Sequence, residues 1–164
     1  MTIRKGTSQD LSAVLELIKE LAIYEKAPNE VSVSVTEMEQ NGFGPHPLFE
    51  FFVATEDEKI VGLALYYYKY STWKGRCLFL EDIIVTESKR GNGIGKLLFD
   101  EVGKVAQQQG VRRMEWQVLE WNEPAINFYK KMPVHLDSEW INCKLTNYEL
   151  DTLYGDEQFT LSHH

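Results

Sequence analysis

Apolar residues recur every three or four positions in two long stretches of the chain, which is the pattern of a helix with one buried face. The first helix is predicted from Ser8, a suitable N-cap, to about Tyr24, and the second follows a glycine-rich turn and ends at Gly110. The two apolar stripes consist of Leu11, Val14, Leu15, Ile18, Leu21 and Ala22, and of Ile94, Leu97, Leu98, Val102, Val105 and Ala106. Shorter helices are predicted over Thr36–Gln40 and Glu123–Lys131.

Runs rich in β-branched and aromatic residues, bounded by turn-forming residues, predict six strands. They cover Ile3–Lys5, Leu48–Thr55, Ile60–Tyr70, Arg76–Val85, Arg113–Val118 and Ser138–Leu145. Short connections join the second, third and fourth strands, which predicts an antiparallel meander, whereas a helix between two strands predicts a parallel pair. The order β-α-α-β-β-β-α-β-α-β therefore predicts an α/β (α+β) fold with a mixed central β-sheet flanked by helices.

Composition narrows the class of protein. The 164 residues correspond to about one domain, and 43% apolar with 26% charged residues is typical of a globular chain. The net charge of −8 argues against nucleic acid as a partner, because phosphate contacts require clustered Lys and Arg. No apolar stretch suits a transmembrane helix and Met1–Lys5 does not resemble a signal peptide, so we expect a cytoplasmic protein with no membrane partner. Cys77 and Cys143 show no ligand spacing, so no metal site is expected.

The most informative segment is a glycine-rich turn, Arg90–Gly95, which joins the strand ending at Val85 to the second long helix. Glycines let the backbone approach a ligand closely, and the N–H groups at a helix N-terminus favour an anion, so the turn is a candidate pyrophosphate site. The spacing excludes a P-loop, and the turn follows the fourth strand rather than the first, which argues against a Rossmann site. A glycine-rich corner without a ligand is the alternative.

Arg90, Gly93 and Gly95 fill the fixed positions of Arg/Gln-x-x-Gly-x-Gly/Ala, so the turn resembles the acetyl-CoA pyrophosphate loop of the GNAT N-acetyltransferases. A second segment, Asn122–Lys130, is similar to another signature of that superfamily. Four longer strings resemble the diamine (spermidine/spermine) N-acetyltransferases and the related thialysine N-acetyltransferases. These strings are Leu17–Glu25, Gly42–Pro47, Leu80–Asp82 and Glu120–Pro124, and the similarity extends over about residues 3–150.

The resemblance implies one GNAT acetyltransferase domain over residues 1–150 and a C-terminal tail over residues 151–164. It implies acetyl-CoA as cosubstrate, no metal, a homodimer, and direct transfer of acetyl to a primary amine of a small polyamine (spermidine, spermine or a diamine) without an acyl-enzyme. Two alternatives stay open. One is acetylation of thialysine or a lysine-like amino acid, with Arg76 or Lys74 holding its carboxylate. The other is a catalytically inactive CoA-binding regulatory protein.

Acetyl transfer to an amine requires a neutral amine, a stabilised oxyanion and a protonated leaving thiolate. Glu81, near the end of the strand before the glycine-rich turn, is the candidate base or cation anchor. Adjacent strand residues point to opposite faces, so either Glu81 or Asp82 faces away from the substrate or lies at a bulge. By resemblance, Tyr129 is the general acid and backbone N–H groups near residues 83–85 hold the oxyanion.

Further binding residues are assigned by resemblance. The predicted coenzyme-binding residues are Ile83, Ile84, Val85, Arg90, Gly91, Asn92, Gly93, Ile94, Gly95, Lys96, Asn122, Tyr129 and Lys130. The predicted amine-binding residues are acidic or aromatic, because cations bind beside carboxylates and over rings. They are Tyr24, Glu25, Trp73, Glu81, Asp82 and Trp140. The run Tyr66–Tyr68 is interpreted as sheet packing. The chain departs from the family at Lys131-Met132-Pro133, where a glycine is usual. This departure affects the path of the backbone from Lys131 to Ser138.

Overall fold

The computed structural model describes residues 1–155, which form five strands and five α-helices. The strands are β1 (Thr2–Lys5), β2 (Glu50–Glu56), β3 (Lys59–Ser71), β4 (Gly75–Val85) and β5 (Met114–Glu115). The helices are α1 (Leu11–Tyr24), α2 (Val35–Phe43), α3 (Ile94–Gln108), α4 (Glu123–Lys130) and α5 (Asn147–Tyr154). The chain divides into two compact units: Met1–Asn122 contains all five strands and α1 to α3, and a second unit begins at Glu123 and contains α4 and α5. One domain over residues 1–150 stays a prediction.

The first unit is built on one five-stranded sheet in the order β1-β2-β3-β4-β5. Each of the first three strands pairs antiparallel with the next, and β4 pairs parallel with β5. The connection from β4 to β5 contains α3, because parallel neighbours require a long crossover. The predicted meander and the predicted mixed sheet flanked by helices are therefore confirmed.

Helices cover both faces of this sheet, and the alternation along β3 shows which helix covers which face. Leu63 is fully buried in a cluster with Leu11 and Val14 of α1. The preceding residue, Gly62, faces α3, where Leu98 lies 2.9 Å from the position that a Cβ would take. Adjacent strand side chains point to opposite faces, so α1 and α3 lie on opposite sides of the sheet.

The strand predicted over Ser138–Leu145 is wrong, since residues 134–146 form neither a helix nor a strand. The alternation that suggested it leaves its side chains exposed, with Trp140 75% exposed and Ile141 86% exposed. A strand needs a neighbour for its backbone hydrogen bonds, and no strand within residues 1–155 pairs with this segment. The strand predicted over Arg113–Val118 is shortened to β5 for the same reason, because only two of its residues pair with β4.

Helix α5 is not predicted by the apolar pattern. Its sequence signal is the arrangement Thr146-x-x-Glu149, which has the spacing of a capping box. In the structure the Thr146 hydroxyl donates to the Glu149 carboxylate, and Thr146 makes no side-chain hydrogen bond to the backbone of the first turn. The helix includes residues 151–154 of the predicted tail, whereas residues 156–164 of that tail lie outside the described part of the chain. None of the helices within residues 1–155 is both long and apolar enough to cross a membrane.

Candidate active site

Strand β4 carries the two consecutive carboxylates, Glu81 and Asp82, at the point where its pairing with β3 shifts. The residues on either side of Glu81 pair with consecutive residues of β3, Leu65 and Tyr66, so Glu81 forms a β-bulge. The Tyr67 hydroxyl donates a hydrogen bond to Glu81 Oε2 at 3.1 Å. Tyr67 and Leu65 are two residues apart and share the face of β3 that α1 covers. The bulge therefore brings both carboxylates to the same face of the sheet, and the bulge alternative is confirmed.

Asp82 lines an open cavity of about 190 Å³ beside the C-terminal part of α1, called here the acidic cavity. Two further carboxylates line it, Glu25 directly after α1 and Glu30 in the following loop. The other lining residues are apolar: Ile18, Leu21, Ala22, Ala27 and Val31. Among the described residues that line this cavity there is no Lys or Arg. The cavity therefore suits a cationic group on a short aliphatic chain.

Two carboxyl groups that line the acidic cavity, those of Asp82 and Glu25, have raised pKa values. Burial, with smaller contributions from the charges of Glu81 and Glu25, raises the pKa of Asp82 to about 6. Burial also raises the pKa of Glu25. Burial is the main cause of both shifts and opposes the ionised form of each carboxyl group, so a bound cation would relieve an existing cost. Such perturbed groups in a cleft are typical of functional sites.

The sheet opens beside these carboxylates, along the edge of β4 that faces away from β3. Strand β5 pairs with β4 only at Leu78 and Phe79, so within the described residues β3 is the one strand that pairs with the stretch Leu80–Val85. Three of the predicted coenzyme-binding residues lie on this stretch. They are Ile83, Ile84 and Val85. Their position next to the Glu81 bulge makes this open edge the place where a ligand of the glycine-rich turn can meet a ligand of the acidic cavity.

The segment from Thr86 to Gly95, called here the glycine turn, has backbone geometry suited to an anion. Gly91 and Gly93 adopt φ values of 83° and 79°, which favour glycine, and no atom lies within 4 Å of a Cβ built on either. The first backbone N–H groups of α3 have no acceptor within the helix. They belong to Ile94, Gly95 and Lys96. Asn92 fastens the turn by donating from its side-chain amide to the Lys89 carbonyl at 3.2 Å.

Two of the basic side chains predicted to bind the coenzyme, Lys96 and Arg90, are engaged with the protein itself. Lys96 forms an ion pair with Asp100 at 2.6 Å on the surface of α3. The Arg90 Nε donates to the Val85 carbonyl at 2.8 Å, and its Nη2 lies 3.6 Å from a carboxylate oxygen of Glu20 on α1. In this geometry the Arg90 side chain stabilises the conformation of the glycine turn. The groups of the turn that are available to an anion are its backbone N–H groups.

Tyr24, predicted to bind the amine, lies beside the glycine turn and is not among the residues that line the acidic cavity. The Arg90 guanidinium lies 5.2 Å from the centre of its ring. Its hydroxyl donates to Asn122 Oδ1 at 3.2 Å, and its ring centre is 6.0 Å from that of Trp121. Tyr24 therefore connects two of the predicted coenzyme-binding residues, Arg90 and Asn122.

The remaining predicted residues lie on other elements. Trp73 is in the turn between β3 and β4, is 80% exposed, and does not line the acidic cavity. In the second unit, Tyr129 and Lys130 lie on α4, and Trp140 lies in the segment 134–146. Tyr129 is buried, which raises the pKa of its hydroxyl. Among the predicted catalytic and amine-binding residues, the structure brings together Glu25, Glu81 and Asp82, and the roles of the others stay predictions.

Three residues of this region are missed by the sequence analysis: Glu20, Glu30 and Tyr67. Nothing in the helical pattern distinguishes Glu20 from the solvated glutamates of α1. Glu30 follows a helix break, where charge is usual. Tyr67 belongs to the run interpreted as packing, which fits the fully buried Tyr66 but overlooks that alternate strand residues reach the face of Glu81.

Comparisons with known proteins give one consistent family. The model of the acetyltransferase (GNAT) family matches residues 13–132. The chain is 38% identical over 138 residues to the thialysine N-epsilon-acetyltransferase of Bos taurus, a match covering 79% of this chain and 81% of the bovine protein. It is 33% identical over 134 residues to the spermidine/spermine N(1)-acetyltransferase-like protein 1 of Homo sapiens, covering 77% of this chain and 19% of that protein. The solved structure of a predicted acetyltransferase from Clostridium acetobutylicum with acetyl-CoA has a fold similar to this one, with a TM-score of 0.72, 19% identity and coverage of 87% and 95%.

Proposed function

Because the chain belongs to the acetyltransferase (GNAT) family, we propose that it transfers the acetyl group of acetyl-CoA to the terminal amine of a small aliphatic cation. One observation carries this proposal: the bulge at Glu81 brings two adjacent carboxylates to the same face of the sheet, with Asp82 in the lining of the acidic cavity, at the point where the edge of β4 opens beside the glycine turn. An amine held by the cavity and a thioester held along the open edge would meet at Glu81.

The residues of the first unit fit the coenzyme. The glycine turn offers several backbone N–H groups to a pyrophosphate, with room at Gly91 and Gly93 for close approach. The open edge of β4 offers backbone groups to an extended arm and to a thioester carbonyl. Acetyl-CoA, when bound, supplies an activated acetyl group, so the protein needs no nucleophile of its own.

The acidic cavity deals with the charge of the amine. An alkyl ammonium has a pKa near 10, so it binds as a cation and must lose a proton before it attacks. In this proposal Asp82 and Glu25 hold the cation and Glu81, at the open edge, accepts the proton directly or through a water. The C–N bond forms as the C–S bond breaks, and Tyr129 donates a proton to the departing thiolate.

The first candidate substrate is thialysine or a similar ω-amino acid, since the bovine relative is named for that activity at 38% identity. Its α-carboxylate requires a cation. Arg76 is less suitable than its sequence position suggests, because its guanidinium stacks 3.9 Å from the centre of the Tyr68 ring and Nη1 donates to Gln109 at 3.3 Å. Lys74 is exposed in the turn between β3 and β4 and keeps this role as a candidate.

The second candidate substrate is a polyamine. The observation that favours it is the lining of the acidic cavity, which has three carboxylates and, among the described residues, no basic side chain. A second ammonium would be stabilised there, whereas a carboxylate would be repelled. The charge of the cavity lining therefore favours a polyamine as substrate, whereas the similarity to the bovine relative favours thialysine.

The test is release of free thiol from acetyl-CoA with a panel of thialysine, lysine, putrescine, spermidine, spermine and a basic peptide. Saturable turnover with thialysine alone supports the first candidate, and preference for spermidine or spermine supports the second. Tight binding of coenzyme A without turnover of any amine would contradict the enzyme and favour a CoA-binding regulatory protein.

The environment of the protein is likewise a proposal. We expect a homodimer in the cytoplasm that acts on a small molecule and binds neither nucleic acid nor membrane. Sedimentation of the purified chain with and without coenzyme A tests the first of these expectations.

A further inference from the structure

Glu20 makes a set of contacts that the proposed chemistry does not use. It lies on α1, one turn before Tyr24, and its carboxylate reaches the start of the glycine turn. It accepts a hydrogen bond from the Glu87 backbone N–H at 2.9 Å and from the Thr86 hydroxyl at 3.0 Å. It also lies 3.6 Å from Nη2 of Arg90. One carboxylate therefore contacts three residues between β4 and the first positive-φ glycine.

These contacts fix the position of the residues of the glycine turn that precede Gly91 and Gly93. Arg90 completes the arrangement, because its Nε also binds the last carbonyl of β4, that of Val85, and its guanidinium faces the ring of Tyr24. Gly91 and Gly93 restrict the backbone little, so the direction of the N–H groups of α3 depends on how firmly the preceding residues are held.

The charge of Glu20 separates two explanations of these contacts. A carboxylate near an anion site repels the anion, so on charge alone its removal would strengthen coenzyme binding. If Glu20 instead holds the turn in its binding geometry, its removal would weaken coenzyme binding despite the loss of negative charge. The two explanations predict opposite signs for the same substitution.

We propose that Glu20 is a positioning residue for the coenzyme, and that it acts by holding Thr86, Glu87 and Arg90 in the geometry that directs the N–H groups of the glycine turn at the pyrophosphate. The inference rests on the proposed function, because it takes the anion to be the pyrophosphate of acetyl-CoA. It divides the end of α1 into two parts: Glu20 serves the coenzyme, and Glu25, which lines the acidic cavity, serves the amine.

The experiment measures the dissociation constant of coenzyme A by calorimetry, without amine, and then KM and kcat for both substrates. The variants are E20A, E20Q and a matched control, E16Q, since Glu16 is an exposed glutamate of the same helix that pairs only weakly with Lys19 at 3.6 Å. We expect E20A to bind coenzyme A about tenfold more weakly, because it loses several hydrogen bonds to a charged group. E20Q should lose less, since its amide oxygen still accepts from Glu87.

In the kinetics, E20A and E20Q should raise KM for acetyl-CoA with little change in KM for the amine, E25Q should do the reverse, and E16Q should change neither. Coenzyme binding by E20A and E20Q equal to wild type, or tighter binding by E20Q, would overturn the positioning role. If urea titrations show that E20A is not folded, the coenzyme binding of E20Q tests the positioning role of Glu20. A wild-type protein that does not bind coenzyme A at all would overturn the proposed function itself, which is a different result from equal binding by all variants.

Discussion

Two aspartates of the first unit, Asp10 and Asp82, have pKa values that are shifted in opposite directions. Asp10, in the short 3-10 helix before α1, accepts from Arg4 Nη1 and Nη2 at 2.8 and 2.9 Å and from the Thr7 backbone N–H at 2.8 Å. The Arg4 guanidinium is the largest of the causes that lower the pKa of Asp10 to about 2. Burial raises the pKa of Asp82 to about 6, and the charges of the neighbouring carboxylates of Glu81 and Glu25 contribute less.

The difference shows that Asp10 contributes to the stability of the fold, whereas Asp82 is suited to bind a cationic ligand. The folded state stabilises the charge of Asp10, so that charge contributes to folding whenever it is present. The folded state opposes the charge of Asp82, so the charge is retained there at a cost in stability that a cationic ligand can recover. The same residue type thus has opposite effects, because Asp10 is hydrogen-bonded to a guanidinium, whereas Asp82 is desolvated by burial and has carboxylates as charged neighbours.

The largest expected effect is on amine turnover when Asp82 is neutralised. We expect D82N to lower kcat/KM for the amine about thirtyfold or more, because removing one member of a desolvated charge pair costs about 2 kcal/mol or more. Binding of coenzyme A should stay within about twofold of wild type. Steady-state kinetics and calorimetry check this, with E39Q on the exposed side of α2 as the control. Unchanged amine kinetics in D82N would contradict the role of the acidic cavity.

The next effect is on stability and concerns Asp10. D10N should lower the free energy of unfolding at pH 7 by about 2 kcal/mol, since the pKa of Asp10 is lowered from 3.8 to about 2. The sign follows from the lowered pKa: the stabilisation is complete above about pH 4 and is lost as the pH falls through 2. Urea unfolding of both proteins between pH 7 and pH 3 should show the gap narrowing at the acid end. A gap that stays constant with pH would mean that charge is not its cause.

Asp82 should show the opposite dependence on pH. Its folded pKa is raised, so its contribution to stability is fully present below pH 3.8 and is lost as the pH rises through about 6. D82N should therefore equal wild type in stability near pH 4 and exceed it near pH 8, by about 1 to 2 kcal/mol after allowance for partial exposure. Thermal unfolding at both pH values measures this. A less stable D82N at pH 8 would contradict the repulsion among these carboxylates.

The smallest effect is expected for the hydrogen bond between Tyr67 and Glu81. Y67F removes one donor to an exposed carboxylate, so kcat should fall about threefold to tenfold, the equivalent of about 1 kcal/mol. KM for acetyl-CoA should not change. The matched control is Y70F on the same strand, since Tyr70 is 75% exposed. Equal losses in both variants would show that the effect does not pass through Glu81.

The sequence-based analysis succeeds where the signal is local. The helices α1 and α3 and the meander of β2 to β4 are confirmed, since they depend on spacing along one segment, although Leu97 of the second predicted apolar stripe is exposed. It fails at Ser138–Leu145, where alternation is present but no described strand pairs with it. The sequence does not decide whether one carboxylate of the Glu81-Asp82 pair faces away from the substrate or lies at a bulge. The bulge depends on the register with β3 rather than on residue types.

The sequence by itself therefore determined the order of the elements as far as α4, the glycine turn and the family, because these follow from residue types at short spacing. Only the tertiary structure decided that Glu30 joins Glu25 and Asp82 around one cavity, that burial raises the pKa of Asp82 to about 6, and that Glu20 reaches Arg90. The physical reason is that burial, register and charge interactions are set by distances between residues far apart in the chain, and no spacing along the sequence encodes those distances.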